Sequence, residues 1–551
     1  MKIAIIGAVA AGTSAAAKAR RNDENAEIRI FEADRDISYS GCGLPYYIGT
    51  KVEKRELLVP RDYDYFKRKY NIDILTRHRV LEIDPSGKRL RVLDMESGEE
   101  FIEIWDKLVI ATGARSVRPA VNGIEKPNVF TLRNVENADR IRSFILGKAP
   151  ARAVIIGSGY IGLEMLENLA ARGIKTTMVE AGGHVMASLD KDIAVYLESY
   201  LENIGVELIL NDSAVGFEGS PFVKKVILKS GRELATDFII VSIGVKPEVE
   251  LAVKSGILTG PSGAIKVNTA MQTNFPDIYA CGDCAESFSL ITGKPMYRPL
   301  GSTANKTGRI AGDSMTGGSL EFRGILGTGI FKIFDKTIAQ TGLSEMEAKE
   351  EGYDVEVCHM IKPDRPDYFG GREMVIKAVA DKVDGRLLGV QIIGEAGVDK
   401  RIDIFATAIS FGARAQDLFH LDLAYAPPFS TTKDPVAYTG MVLENALNRG
   451  RKLITADDLK KRLENLEDIT ILDARRPEQY EKSHIEGALN IPHEDIRTEA
   501  CSLDRDKTVV TYCNKGVTGN AAQNILINRG FKKVYNLSGG HRNYRENAKK
   551  K

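Results

Sequence analysis

The chain opens on an apolar run, KIAII, then a glycine-spaced turn, a small-residue helix-forming stretch ending KARR, and a second apolar run, IRIFE, closed by an acid. A short β-branched run followed by a glycine turn reads as a buried strand leading into a close-packed helix. The same order recurs as RAVIIGSGYIGLEMLENLAARG followed by KTTMVE. Each copy is a βαβ unit, so the pattern predicts two Rossmann-like α/β domains.

From residue 321 to about 445 this pattern gives way to strands and helices of another kind, ending in LAYAPPFSTTKDPV, where Pro427-Pro428 mark a rigid, non-helical turn. After ENALNRGRKL the chain restarts with a capping signal, Thr455-Ala-Asp-Asp458, and the helical run LKKRLENL, which puts a boundary near residue 450. A strand VVTYC, a loop CNKGVTGN and a helix AAQNILINRGF then form another α/β segment. The expected architecture is a discontinuous nucleotide domain over 1–115 and 250–320, a second over 116–249, an α+β domain over 321–447, and a C-terminal α/β domain over 455–551.

A chain of 551 residues exceeds one core and suits several domains. Its 76 Lys and Arg nearly balance 75 Asp and Glu, so no global field draws nucleic acid or an acidic membrane, and small ligands are expected instead. Six cysteines without framework spacing point to a reducing compartment, the cytoplasm, with individual thiols free for chemistry. The opening apolar run continues into KARR and a second strand, unlike a secretory signal, and no apolar stretch reaches the roughly 20 residues of a membrane span. Seven scattered histidines and the lack of Cys/His ligand spacing predict no metal site, and no hydrolytic triad has a local signature.

Gly157-x-Gly159-x-x-Gly162 has the spacing that allows a tight turn, close approach to a pyrophosphate and close helix packing, and Glu180 follows 18 residues after Gly162 to accept from a ribose hydroxyl. No Arg or Lys directly follows Glu180, which favours NADH over NADPH. The first copy keeps Gly7 and Gly12, has Val9 in place of the middle glycine, and closes on Glu32, 20 residues after Gly12. Two dinucleotides are implied.

With Thr112-Gly113 in LVIATGA and Asp283 in IYACGDCAE, these motifs resemble the pyridine nucleotide–disulfide oxidoreductases. The resemblance implies FAD in the first site, NADH in the second, and Asp283 on the flavin ribityl chain. Cys281-Gly-Asp-Cys284 reads as a C-x-x-C, but no thioredoxin-like unit surrounds it, so no dithiol is expected there. Family members with an internal disulfide carry a second cysteine where this chain has Tyr47, which leaves Cys42 without a neighbour to cycle with. Its oxidised form must be a sulfenic acid, a persulfide or a mixed disulfide.

The segment SYSGCGLPYYIG resembles the single-cysteine branch, which includes coenzyme A-disulfide reductases, NADH oxidases and peroxidases, and persulfide reductases, although Gly41 stands where the family usually has Asn. GVDKRIDIFATAI and AYAPPFS resemble the dimerisation domain of coenzyme A-disulfide reductases. That resemblance implies a homodimer in which Pro427, Pro428 and Phe429 reach the other subunit's flavin site. Tyr425 would then help protonate a leaving thiolate, with Tyr368 matching a second family tyrosine. Lys18 and Arg21 share a face of the first helix, and the resemblance assigns them, with Ser38, to coenzyme A.

A strand ending in Cys513, a glycine-containing loop and a following helix aim backbone N–H groups at the sulfur and favour a thiolate or persulfide anion. Cysteine phosphatases need an Arg where Gly519 stands, so a phosphate dianion has no bidentate clamp. DARRPEQYEKSHIEGALNIP with YCNKGVTGN resembles the rhodanese sulfurtransferases, with Cys513 as sulfur carrier and Lys515, Thr518 and Ser483 at positions where the family often differs. The combined expectation is NADH- and FAD-dependent reduction of persulfides or polysulfides, including coenzyme A persulfide, and of coenzyme A disulfide. The alternatives are an NADH oxidase or peroxidase using a Cys42 sulfenic acid, and a redox sensor whose rhodanese part is a docking module.

Overall fold

A computed structural model of the chain describes residues 1–548 apart from the side chain of Cys501; residues 549–551 of the expected fourth domain lie outside the described residues. The chain forms two compact units, one from Met1–Gly183 and Val206–Gly327, the other from His184–Gly205 and the chain from Thr328 onward.

The first unit holds two parallel five-stranded sheets of matching order. In one, the strands run Ile278–Ala280, Lys107–Ile110, Lys2–Ile6, Glu27–Glu32, Asp73–Thr76; in the other, Val129–Phe130, Phe238–Val241, Arg152–Ile156, Lys175–Val179, Glu207–Ile209. In each, the first strand of the βαβ unit sits centrally and is buried on both faces, which is why its sequence is a continuous apolar run rather than an alternation. The helices Ala10–Asn22 and Tyr160–Ala170 start where these strands end. Both sites therefore form at the carboxyl edges of parallel strands, where open α/β sheets bind ligands.

The second unit has an antiparallel sheet in the order Gly329–Ile333, Lys336–Gly342, Leu387–Gly394, Glu373–Asp381, Val355–Pro363. The helices Val398–Ser410 and Pro435–Asn448 cover it. The second helix begins at Pro435, which lacks an N–H to waste, behind the Asp434 carboxylate that accepts from Val436 N–H at 2.9 Å. A parallel sheet follows, in the order Leu453–Ile454, Lys533–Leu537, Thr508–Tyr512, Ile469–Asp473, Leu489–Asn490. Thr455 caps the helix Ala456–Glu464 by accepting from Asp458 N–H at 3.1 Å. The helix Lys191–Asn203 belongs to this unit through a buried cation: Lys377 pairs with Asp190 at 3.1 Å, Asp192 at 2.8 Å and Glu345 at 2.7 Å.

Candidate redox and sulfur-transfer sites

The two glycine turns in the first unit share one geometry. Gly7 and Gly157 take positive φ of 104° and 98°, a region open to glycine. A Cβ on Gly12 would collide with the Gly7 carbonyl, and one on Gly162 with the Gly157 carbonyl, so each helix packs on its strand only without that atom. The closing acid of each copy folds back on the turn: Glu32 accepts from Ala8 N–H at 2.7 Å and Asp34 N–H at 2.9 Å, and Glu180 from Ser158 N–H at 2.9 Å and Gly182 N–H at 2.8 Å. A Cβ on Gly159 would meet nothing within 4 Å, which leaves room for a pyrophosphate against the turn. Val9, in the first copy, holds φ at −98°, where any residue is at ease.

Burial pushes the Glu32 carboxyl up, while the Asp34 and Ala8 N–H groups pull the other way. An acid so placed, with no cation paired to it among the described residues, suits a neutral hydroxyl donor such as a ribose. Asp283 pairs with Arg133 at 2.9 Å, and the Tyr297 hydroxyl donates to its carbonyl at 3.0 Å. Thr112 donates to the Glu248 carbonyl at 2.6 Å, and Gly113 turns there with φ of 73°. The two glycine turns, each with its closing acid, leave space for a dinucleotide at each site.

Cys42 is solvent-exposed on the 3-10 turn Gly41–Gly43, just before the helix Leu44–Ile48. A Cβ on Gly43 would press on the end of the Leu58 side chain at 2.8 Å, whereas one on Gly41 would meet only the Tyr39 ring at 4.0 Å. Tyr47, at the position of a second family cysteine, is buried and donates to Asp139 at 3.0 Å. Desolvation pushes the Cys42 thiol up, Glu164 and Asp283 add to it, and Arg133 opposes them. Glu164 itself is pushed up to about 7 by burial and by Glu167. Cys281 and Cys284 are free and fully buried, and their thiols are held up by that burial. Cys284 donates to the carbonyls of Ile110 and Cys281 at 3.4 and 3.3 Å, so the pair packs as small hydrophobes with local sulfur contacts. On the first helix Lys18 pairs with Asp313 at 2.9 Å, and Arg21 is exposed over the Tyr70 ring at 5.7 Å. Ser38 adopts φ of 47° and donates its N–H to the Ala8 carbonyl at 2.8 Å.

In the second unit, Cys513 is 6% exposed at the end of its strand, ahead of the helix Val517–Asn528. Its carbonyl accepts from His541 N–H at 2.8 Å, and that of Asn514 from Arg542 N–H at 3.1 Å, which clamps the loop against the last helix. A Cβ on Gly519 would collide with Asn536 and press on the Tyr512 Cα at 3.1 Å. The position is crowded and favours glycine, and no guanidinium stands there to clamp a phosphate. Beneath the loop Arg475 is buried against Asp473 at 2.6 Å and reaches Asn514 Oδ1 at 3.2 Å and His541 Nδ1 at 3.3 Å. His541 is lowered to about 4 by burial and then by Arg475 and Arg545, so it is neutral at physiological pH. Thr518 is exposed at the start of the helix. Tyr368, Tyr425 and Phe429 also lie in this unit and are 75%, 48% and 70% exposed. Pro427 and Pro428 sit in the turn between Tyr425 and Phe429, and buried Ser430 anchors its far end.

A family model for the pyridine nucleotide-disulphide oxidoreductases matches residues 1–301, one for their dimerisation domain 329–446, and one for rhodanese-like domains 455–547. The chain belongs to the pyridine nucleotide-disulphide oxidoreductases. It is 39% identical over 446 residues to a Pyrococcus horikoshii NAD(P)H coenzyme A polysulfide/persulfide reductase, covering 80% of this chain and 98% of that one. Among solved structures, reduced Bacillus anthracis CoADR-RHD superposes with a TM-score of 0.96 at 36% identity, over 99% of this chain and 98% of the other. An NAD-dependent persulfide reductase from A. fulgidus gives 0.91 at 38% identity, over 99% and 100%. The four-part α/β and α+β architecture read from the sequence agrees with these matches, as do FAD and a reduced pyridine nucleotide as the family's cofactors.

Sequence reading missed Glu164, Arg133, Tyr297, Arg475 and His541. Glu164 sits in a helix where an acid reads as surface, and only folding brings it beside Cys42. Arg475 lies inside the DARR motif, and that motif was the available signal.

Proposed function

We propose that this oxidoreductase reduces the sulfur–sulfur bond of persulfides and polysulfides, coenzyme A persulfide among them, and of coenzyme A disulfide, using NADH, with Cys513 handling sulfane sulfur. The observation that carries this reading is an exposed free cysteine, Cys42, without a second cysteine at Tyr47, on a chain that also places Cys513 between a strand and a helix. Bound FAD would accept a hydride from the nicotinamide and supply two electrons to sulfur. The Cys42 thiolate attacks the outer sulfur of R–S–SH, the sulfur–sulfur bond breaks, RS⁻ leaves with the electron pair, and Cys42 holds a persulfide. Two electrons and the accompanying protons then return Cys42 to its thiol and release hydrogen sulfide. Coenzyme A disulfide follows the same course through a mixed disulfide and two thiols.

The exposed Tyr425, Tyr368 and Phe429 suit a homodimer in which Pro427, Pro428 and Phe429 complete the partner's flavin site and Tyr425 protonates the leaving thiolate. Arg21, Lys18 and Ser38 would receive the charged end of coenzyme A, Lys18 exchanging Asp313 for a phosphate. Glu180 repels a 2′-phosphate and so favours NADH. Among the described residues no helix is long and apolar enough to cross a membrane, and the free thiols suit a reducing cytoplasm. In anaerobic assays Cys42→Ser should abolish NADH oxidation by either sulfur substrate while NADH still bleaches the flavin. Cys513→Ser should keep coenzyme A disulfide reduction and lose sulfide release from polysulfide with catalytic coenzyme A. Hydrogen peroxide turnover faster than either, and indifferent to Cys513→Ser, would instead make the protein a peroxidase.

A further inference from the structure

We propose that Glu373, on the antiparallel sheet, sets the charge preference of the Cys513 loop, turning it away from dianionic sulfur donors such as thiosulfate and toward singly charged sulfane carriers. The proposal rests on reading Cys513 as a sulfur carrier. Glu373 opens the strand Glu373–Asp381, opposite Pro363. Its two carboxylate oxygens take the Lys515 ammonium and the Arg542 guanidinium. Lys515 lies two residues past Cys513, and Arg542 follows His541 on the helix whose N–H groups hold the Cys513 and Asn514 carbonyls. The two cations therefore flank the sulfur loop, and one acid from another sheet occupies both.

Among the described residues, the nearby cation Arg545 pairs with Glu546 at 3.4 Å. Arg475 is paired with buried Asp473, and His541 is neutral. Lys515, Arg542 and Glu373 together leave one positive charge at the loop. Two further bonds fix the last helix and the turn before it: His359 N–H donates to Ser538 Oγ at 2.7 Å, and the Tyr196 hydroxyl donates to Asn543 at 3.0 Å. A partly exposed ion pair adds little to stability, so the field of this carboxylate at the loop is its larger effect.

Thiosulfate loads Cys513 when the thiolate attacks its outer sulfur, the sulfur–sulfur bond breaks, and sulfite leaves with the electron pair. Both the arriving and the departing ion carry two charges, so each unit of charge at the loop counts twice for them. A singly charged hydropersulfide delivers its sulfur to Cys513 and leaves as a thiolate, with half that sensitivity.

The test uses the full-length, FAD-loaded protein and Cys513-dependent sulfur transfer to cyanide, with thiosulfate and cysteine persulfide as donors, at low and high salt. Glu373→Gln leaves two positive charges at the loop, Arg542→Gln leaves none, and the double variant restores one. We expect KM for thiosulfate to fall about three- to tenfold in Glu373→Gln and to rise by a similar factor in Arg542→Gln. The double variant should return close to wild type, with every difference shrinking at high salt and cysteine persulfide moving less. If the ion pair merely props the loop, all three variants shift both donors in one direction, and the proposal is overturned. Failure of all four proteins to load Cys513 from either donor overturns the sulfurtransferase reading itself, and this proposal with it.

Discussion

Replacing Arg401 with methionine probes how the segment carrying Tyr425 and Phe429 is held. The buried guanidinium bonds Asp434 at 2.8 Å, Ser430 Oγ at 3.1 Å and the Asp364 carbonyl at 2.9 Å. Ser430 directly follows Phe429, and Asp434 caps the helix Pro435–Asn448, so this one cation fixes the exit of the exposed turn. Burial pushes the Asp434 carboxyl up, but Arg401, Val436 N–H and Ser430 outweigh it and hold it below its ordinary value. Arg401→Met strands that carboxylate in the interior. Breaking one side of a buried pair costs about 3–5 kcal/mol. The unpaired Asp364 carbonyl adds about 1 kcal/mol.

The loss is a large share of the roughly 5–15 kcal/mol that stabilises a domain. Because a chain of several domains need not unfold in one step, native-state hydrogen exchange of the amides in Pro435–Asn448 is the appropriate readout. Arg401→Met with Asp434→Asn removes the stranded charge while keeping an acceptor at the cap, and should recover more than half of the loss. The folded pKa of Asp434 is depressed, so its contribution is present above the unfolded carboxyl value near 4 and lost as pH falls through the folded value. The gap between wild type and Arg401→Met therefore closes on acidification below about pH 4. A cost under about 1 kcal/mol, or a double variant as unstable as the single, would refute the reasoning.

Two further perturbations address the redox site. Glu164 gains its charge near pH 7 and then works against the Cys42 thiolate, so Glu164→Gln should move the pH midpoint of Cys42 alkylation down by about half to one unit in the FAD-loaded enzyme; an unchanged midpoint would separate the two groups. Gly162→Ala forces the helix Tyr160–Ala170 off the Gly157 carbonyl, and flavin reduction by NADH should slow on the order of a hundredfold in stopped-flow absorbance while FAD stays bound; a wild-type rate would mean the turn yields without cost.

The two glycine turns and their closing acids were legible because they are local, each set lying within a single βαβ unit; that Glu32 and Glu180 also accept from their own turns is what the structure adds. The placement of Cys513 at the end of a strand and ahead of a helix was legible for the same reason. What escaped the sequence joins distant segments. Lys377 meets Asp192 across 185 positions, and Lys515 meets Glu373 across 142. A buried lysine in a strand covered on both faces, or a glutamate at a strand's first residue, carries no periodic signature of its partner. The helix Lys191–Asn203 reads as part of the second nucleotide segment, yet its acids bind the later sheet, a pairing only three dimensions reveal.

The most direct measurement is anaerobic NADH consumption by the purified protein with coenzyme A persulfide and, separately, coenzyme A disulfide, with sulfide quantified alongside. A sulfane-sulfur reductase consumes one NADH per sulfide released and turns over the persulfide faster, and both signals vanish in Cys42→Ser. NADH oxidation without sulfide release, or turnover that survives the loss of Cys42, would contradict the assignment.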